Sequence, residues 1–146
     1  GEKSGYDYYF ITTRKFKEMI KQGVFAEWAM VYGNYYGTPK KDINEAIKKG
    51  KDALLVIDTQ GGMSIKKLFP DAVLIGILPP SIKEQERRIR KRDGLTEEEI
   101  KRRIEEAKKE RKIIMSKYDY HLINKNLKNT IKKIERIIKK ELNKNG

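Results

Sequence analysis

The sequence predicts an α/β fold built around a parallel sheet, and three observations carry that prediction. Two short, near-continuous apolar runs, DALLVID (52–58) and AVLIGIL (72–78), have the composition of central parallel strands covered on both faces. The segment between them, TQGGMSIKKLF, is long enough for one crossover helix, which makes a βαβ unit. Along the rest of the chain, capped segments of helical period alternate with strand-like runs.

Taken in order, YDYYFIT (6–12) has the aromatic and β-branched content of a strand. A short helix follows, with Phe16, Met19 and Ile20 at helical spacing and Gly23 ending it. VFAEWAMVY (24–32) alternates well enough for a second strand, and GNYYGT is expected to turn and close it. DINEAIKKG (42–50) reads as a helix with a capping box from Asp42 to Glu45. Pro79 and Pro80 stop the AVLIGIL strand, and Ser81 with Glu84 caps the next helix. A second box, Thr96 to Glu99, opens a long helix to about Ser116 with Ile100, Ile104 and Ala107 on one face. YHLIN (120–124) is a third core strand, and Leu127, Ile131, Ile134, Ile138 and Leu142 form the stripe of a closing helix.

At 146 residues the chain is read as one domain. Hydrophobic and charged residues each make up 38%, yet the apolar ones are grouped into runs, which argues for a core rather than disorder. There is no cysteine, which excludes a disulfide framework and thiolate metal sites and fits a reducing setting. No apolar stretch approaches the roughly 20 residues a membrane span needs, and no signal-peptide pattern opens the sequence. The expectation is a cytoplasmic protein without a membrane partner. The formal net charge of +13 raises the local concentration of anions, whether nucleic acid, acidic lipid or nucleotide phosphate. A lysine-rich surface with no such partner is the other reading. Nothing beyond basicity supports a nucleic-acid partner, because aromatic platforms and basic stripes are not laid out in order.

Three groups of residues are candidates for chemistry. Tyr8, Glu27, Tyr36 and Thr38 lie on or beside the two early strands. Glu27 interrupts an apolar strand, so it either points to solvent or is satisfied by donors. In the second case it suits a planar edge with two adjacent N–H groups, such as the N1–H and N2–H₂ of guanine. Thr38 would then donate to O6, and tyrosine hydroxyls would hold a monophosphate. Asp58 ends an apolar strand at the side where open α/β sheets bind ligands. It is either a Mg²⁺ ligand, direct or through water, or the N-cap of the TQGGMS helix. ERRIRKR (86–92) with IKRR (100–103) forms the third group. Arg88, Arg92 and Arg103 converge on phosphate oxygens if the two helices form a hairpin around Asp93-Gly94; otherwise they line a solvated face. His121, the single histidine, is read as structural.

The order of these pieces resembles guanylate kinase. GYDYYF, FAEWAMVYGNYYGTPK, LLVIDTQGG, ILPPS, RRIRKRDGLTEEEIKRRIEEAKKE and YDYHLIN carry the likeness over almost the whole chain. The resemblance implies a P-loop nucleoside monophosphate kinase-like fold, with a parallel sheet core, a GMP-binding subdomain (1–50), a core βαβ (51–80), a lid and adjoining helix (81–103) and a C-terminal core part (104–146). It implies transfer of the γ-phosphoryl of ATP to GMP with Mg²⁺, in purine nucleotide metabolism. Tyr8 and Tyr36 would bind the GMP phosphate, Glu27 and Thr38 would read guanine, and Gly37 would let the turn fold over the nucleotide. Asp58 would sit near the phosphates and a Mg²⁺-bound water. Arg88, Arg92 and Arg103 would surround the transferred phosphoryl, with Arg88 and Asn124 contacting ATP.

The chain departs from the family in three places. The Gly-rich phosphate loop G-x-x-x-x-G-K-[ST] and a Ser-Thr-x-x-Arg stretch have no counterpart in these residues. Val56 stands where the family usually has a carboxylate, and Lys125 follows Asn124 where the family has Asp. The expectation is a fragment of a longer kinase, rather than a form that lacks the loop by nature or design, without its first core strand and phosphate loop, inactive alone, with its sheet altered, re-paired or completed by another chain. The alternative is a non-catalytic guanylate kinase-like module that binds phosphorylated or acidic peptides.

Overall fold

The computed structural model describes residues 10–31 and 33–144. The chain divides into two compact units, Gly1–Pro70 and Asp71–Gly146.

In the first unit, helix α1 (Thr13–Lys21) starts where the Thr12 hydroxyl accepts from the Lys15 N–H. It is followed by an antiparallel hairpin of β1 (Phe25–Val31) and β2 (Asn34–Pro39), then α2 (Lys40–Lys48) and α3 (Thr59–Leu68). The hairpin pairs Val31 with Asn34, Ala29 with Tyr36 and Glu27 with Thr38, and an irregularity in the register separates Phe25 from Glu27. That extra residue lets Phe25 face α1 while Glu27 faces away. On the α1 side the Phe16 ring stacks on Phe25 at 4.4 Å and on Tyr35 at 5.1 Å between centroids. Phe16 and Ala26 are the buried centre of this packing.

Beyond Gly33, the stretch expected as a turn is strand β2 instead. The reversal is made at Gly33, whose φ of +80° lies in the left-handed region that glycine adopts freely. Gly37 serves packing: a Cβ there would lie 2.8 Å from a Phe25 ring carbon and 3.0 Å from the Phe16 ring. The expected capping box at Asp42 is also corrected. Helix α2 begins at Lys40 with Pro39 as N-cap and no side-chain cap bond, because Pro39 leads β2 straight into the helix and the Lys40 N–H already donates to the Val24 carbonyl at 3.0 Å.

In the second unit, β3 (Ile75–Leu78) and β4 (Tyr120–Ile123) pair in parallel. Bonds from Tyr120 N–H to the Leu74 carbonyl and from Asn124 N–H to the Leu78 carbonyl extend the ladder at both ends. Helix α4 (Ile82–Arg90) is capped by Ser81, and α5 (Glu97–Lys117) opens with the full Thr96/Glu99 capping box, both as the sequence predicts. Helix α6 (Leu127–Lys144) follows β4. The core holds Leu74, Leu78, Ile100, Ile104 and Ile114. Gly76 in β3 lies directly under Ile114 of α5. Tyr120 donates a hydrogen bond to Glu141, which ties β4 to α6 and holds the Glu141 carboxyl below its ordinary range.

One expected strand is not formed, and another lies mostly outside the described residues. Residues 1–9 lie outside the described residues, and residues 10–12 of YDYYFIT are not in a strand. DALLVID has no strand assignment, and Leu54 and Val56 are 77% and 95% exposed instead of covered. Among the described residues the parallel sheet has two strands, β3 and β4. A strand is stabilised by a ladder partner, and the composition of one run cannot provide that partner.

Candidate functional site

The first cluster is built on the hairpin face turned away from α1. Glu27 and Thr38 are opposite each other across the ladder, at the spacing that brings paired side chains together. The Thr38 hydroxyl donates to Glu27 Oε1 at 2.7 Å. Glu27 is half-buried, so it is a satisfied carboxylate and not one swung out into water. Tyr36 lies on the same face, two residues along β2, and is 36% exposed. A hydroxyl has one proton to donate. With that proton committed to Glu27, Thr38 acts here as the tether of the carboxylate.

Helix α3 packs on β1 and brings its first turn to this face. Asp58 is its N-cap: Oδ1 accepts the Gly61 N–H at 2.7 Å, and the side chain remains exposed at the helix start. Of the two readings of Asp58, the capping one is realised. An exposed carboxylate of this kind could serve an ion that keeps most of its waters and takes other ligands from phosphates, as Mg²⁺ does. Among the described residues no group of three or more His, Cys, Asp or Glu side chains forms an all-protein metal cage. Tyr8 lies outside the described residues.

The second cluster lies wholly in the second unit. Helices α4 and α5 form a hairpin across a turn in which Gly94 has a φ of +79°. The turn brings Arg88, Arg92 and Arg103 to the wall of one concave pocket of about 420 Å³. Leu78, Pro79 and Ile89 provide its apolar side, and Gln85 and Asn124 its polar edge. The Asn124 side-chain oxygen accepts from the hydroxyl of Thr130, which is buried. Sequence reasoning missed Gln85, although Gln85, Arg88 and Arg92 recur at the i, i+3, i+7 spacing of one helix face. It also missed Gly61, whose signal is a glycine placed inside a helix, where it costs about 1 kcal/mol against alanine.

Arg88 is oriented by Glu84. Glu84 Oε1 accepts from Arg87 Nη2 at 2.6 Å and from Arg88 Nε at 3.1 Å, while Oε2 accepts from Arg87 Nε at 2.9 Å. The Arg87 hydrogen bond, with the charges of both arginines, holds the Glu84 carboxyl at about 2 instead of 4.5. Because the folded value is the lower one, this pairing contributes fully above about 4.5 and is lost as pH falls towards about 2. The expected result of a carboxyl-carbon NMR titration is a Glu84 midpoint near 2, moving back towards 4.5 in Arg87→Gln. A parent midpoint at 4.5 would show that the pair does not form in solution.

The parallel sheet and its helices agree with the nucleoside monophosphate kinase-like fold that the sequence leads one to expect. Known proteins narrow this. The guanylate kinase family model matches residues 1–141, and the chain belongs to the guanylate kinase family. It is 46% identical over 144 residues to the guanylate kinase of Clostridioides difficile, covering 99% of this chain and 70% of that protein. With the guanylate kinase of Clostridium tetani it shares 43% identity over 141 residues, 97% of this chain and 67% of that one. The crystal structure of guanylate kinase from Anaplasma phagocytophilum superposes with a TM-score of 0.74 at 34% identity, over 97% of this chain and 68% of that chain. The chain thus spans about two thirds of the length of these relatives.

Proposed function

We propose that this chain carries the GMP-recognition and lid parts of an ATP-dependent guanylate kinase acting in cytoplasmic purine nucleotide metabolism. The observation that supports this most is the Glu27–Thr38 bond. A half-buried carboxylate held at one oxygen by a hydroxyl keeps lone pairs available for the two adjacent N–H groups of guanine. Tyr36, on the same face, would bind the phosphate of the monophosphate. Arg88, Arg92 and Arg103 share one pocket and would stabilise charge on a transferring phosphoryl group. Asn124, at the same pocket, would contact the ATP base. Mg²⁺ carried in with ATP would neutralise phosphate charge beside Asp58.

The 146 residues contain no G-x-x-x-x-G-K-[ST] sequence. We therefore assign GMP binding, and not turnover, to these residues alone. Titration calorimetry tests the assignment. GMP is expected to bind weakly and AMP not at all, because AMP lacks the adjacent N–H pair. Equal binding of the two, or binding of neither, would overturn the reading.

A further inference from the structure

The base-reading carboxylate has a second neighbour besides Thr38. An ideal Cβ built on Gly61 would lie 3.1 Å from Glu27 Oε2, 3.0 Å from Asp58 Oδ1 and 3.3 Å from the Ile57 Cβ. Gly61 is buried in the first turn of α3. Its backbone is ordinary helix, so conformation does not call for glycine there, and alanine would be the better helix former. Space is what calls for it.

We infer that Gly61 is a positioning residue for Glu27, and the inference rests on Glu27 being the guanine-reading group. The missing Cβ lets the first turn of α3 close on Oε2 while the Thr38 hydroxyl holds Oε1 at 2.7 Å. The terminal torsion of a glutamate is broad and selects no single plane by itself. A hydrogen bond on one oxygen, with no side chain at position 61 to displace the other, lets the carboxylate keep that plane. The start of a helix also favours a carboxylate, because its first N–H groups lack intrahelical partners. A methyl group at position 61 presses on Oε2, and with Oε1 tethered the carboxylate turns out of the plane that two adjacent donors require.

The test uses the 146-residue chain, titrated with GMP and with IMP, which lacks the 2-amino group. Gly61→Ala is expected to weaken GMP binding about tenfold and to narrow the preference for GMP over IMP. In a Glu27→Ala background the same substitution should change GMP affinity less than about twofold, since its target is gone. A Gly61→Ala chain with parental GMP affinity, or a tenfold loss that persists without Glu27, overturns the inference while leaving the guanine reading intact. A parent chain that does not prefer GMP over IMP overturns the guanine reading and the inference with it. Should Gly61→Ala be too unstable to titrate, its melting temperature is compared with that of Gly61→Ala/Glu27→Asp, whose shorter side chain withdraws the carboxylate. Recovery of the melting temperature supports the contact; an unrelieved loss overturns it.

Discussion

Glu27→Gln is expected to weaken GMP binding by about 30- to 100-fold, on the order of 2–3 kcal/mol, with the fold and melting temperature little changed. The substitution keeps the size of the side chain and one acceptor. The Thr38 hydroxyl can still donate to the amide oxygen, so the tether at 2.7 Å has a counterpart in the variant. What the variant loses is the second acceptor. An amide presents an NH₂ group where the carboxylate presents Oε2, and a guanine N–H then meets a donor instead of a lone pair. The buried donor left without a partner costs more than the missing bond is worth. Calorimetry with GMP, IMP and AMP reads the result directly: the GMP advantage over IMP should collapse, because IMP asks for one acceptor only. If Glu27→Gln binds GMP as the parent does, Glu27 does not read the base.

Local signals were legible in the sequence and non-local ones were not. Ser81 with Glu84 and Thr96 with Glu99 cap their helices as the sequence predicts, because a cap is a bond between residues three apart. Glu27 was legible as a candidate because a carboxylate in an apolar strand has to be satisfied by something, and Thr38 satisfies it. The arginines could be brought together on paper because the Asp93-Gly94 turn closes the helical hairpin locally. GNYYGT has the composition of a turn, because Gly and Asn usually mark one, yet most of it is strand. Here Gly37 answers to two aromatic rings from elsewhere in the chain, and Tyr35 stacks on one of them. DALLVID shows the same limit from the other side. Its composition is that of a buried strand, yet Leu54 and Val56 are exposed and no described strand pairs with it. Gly61 belongs in part to this second kind, since Glu27, one of the residues its missing Cβ would crowd, sits on β1.

Gly76→Ala is expected to destabilise the chain by about 2–3 kcal/mol in urea denaturation, a large part of the stability of an ordinary domain. A glycine-to-alanine change in extended backbone that a Cβ can adopt would otherwise stabilise by about 0.4–1 kcal/mol through the unfolded chain. The sign is reversed here by Ile114, whose Cγ2 lies 2.2 Å from the position of the added Cβ, with Cγ1 at 3.1 Å. At that distance one of the two must move, and neither moves easily. Ile114 is buried and β-branched in a helix, where one χ1 rotamer dominates. Helix α5 cannot back away either, because it ends at Lys117 and β4 starts at Tyr120, with Asp119 between them accepting the Leu74 N–H at 2.8 Å. Ile114→Ala alone should cost about 2–4 kcal/mol by leaving a cavity. Combined with Gly76→Ala, it opens the space the new methyl needs, and the pair should cost about 1–2 kcal/mol less than the sum of the single changes. A neutral or stabilising Gly76→Ala would mean that α5 does not rest on β3 as described.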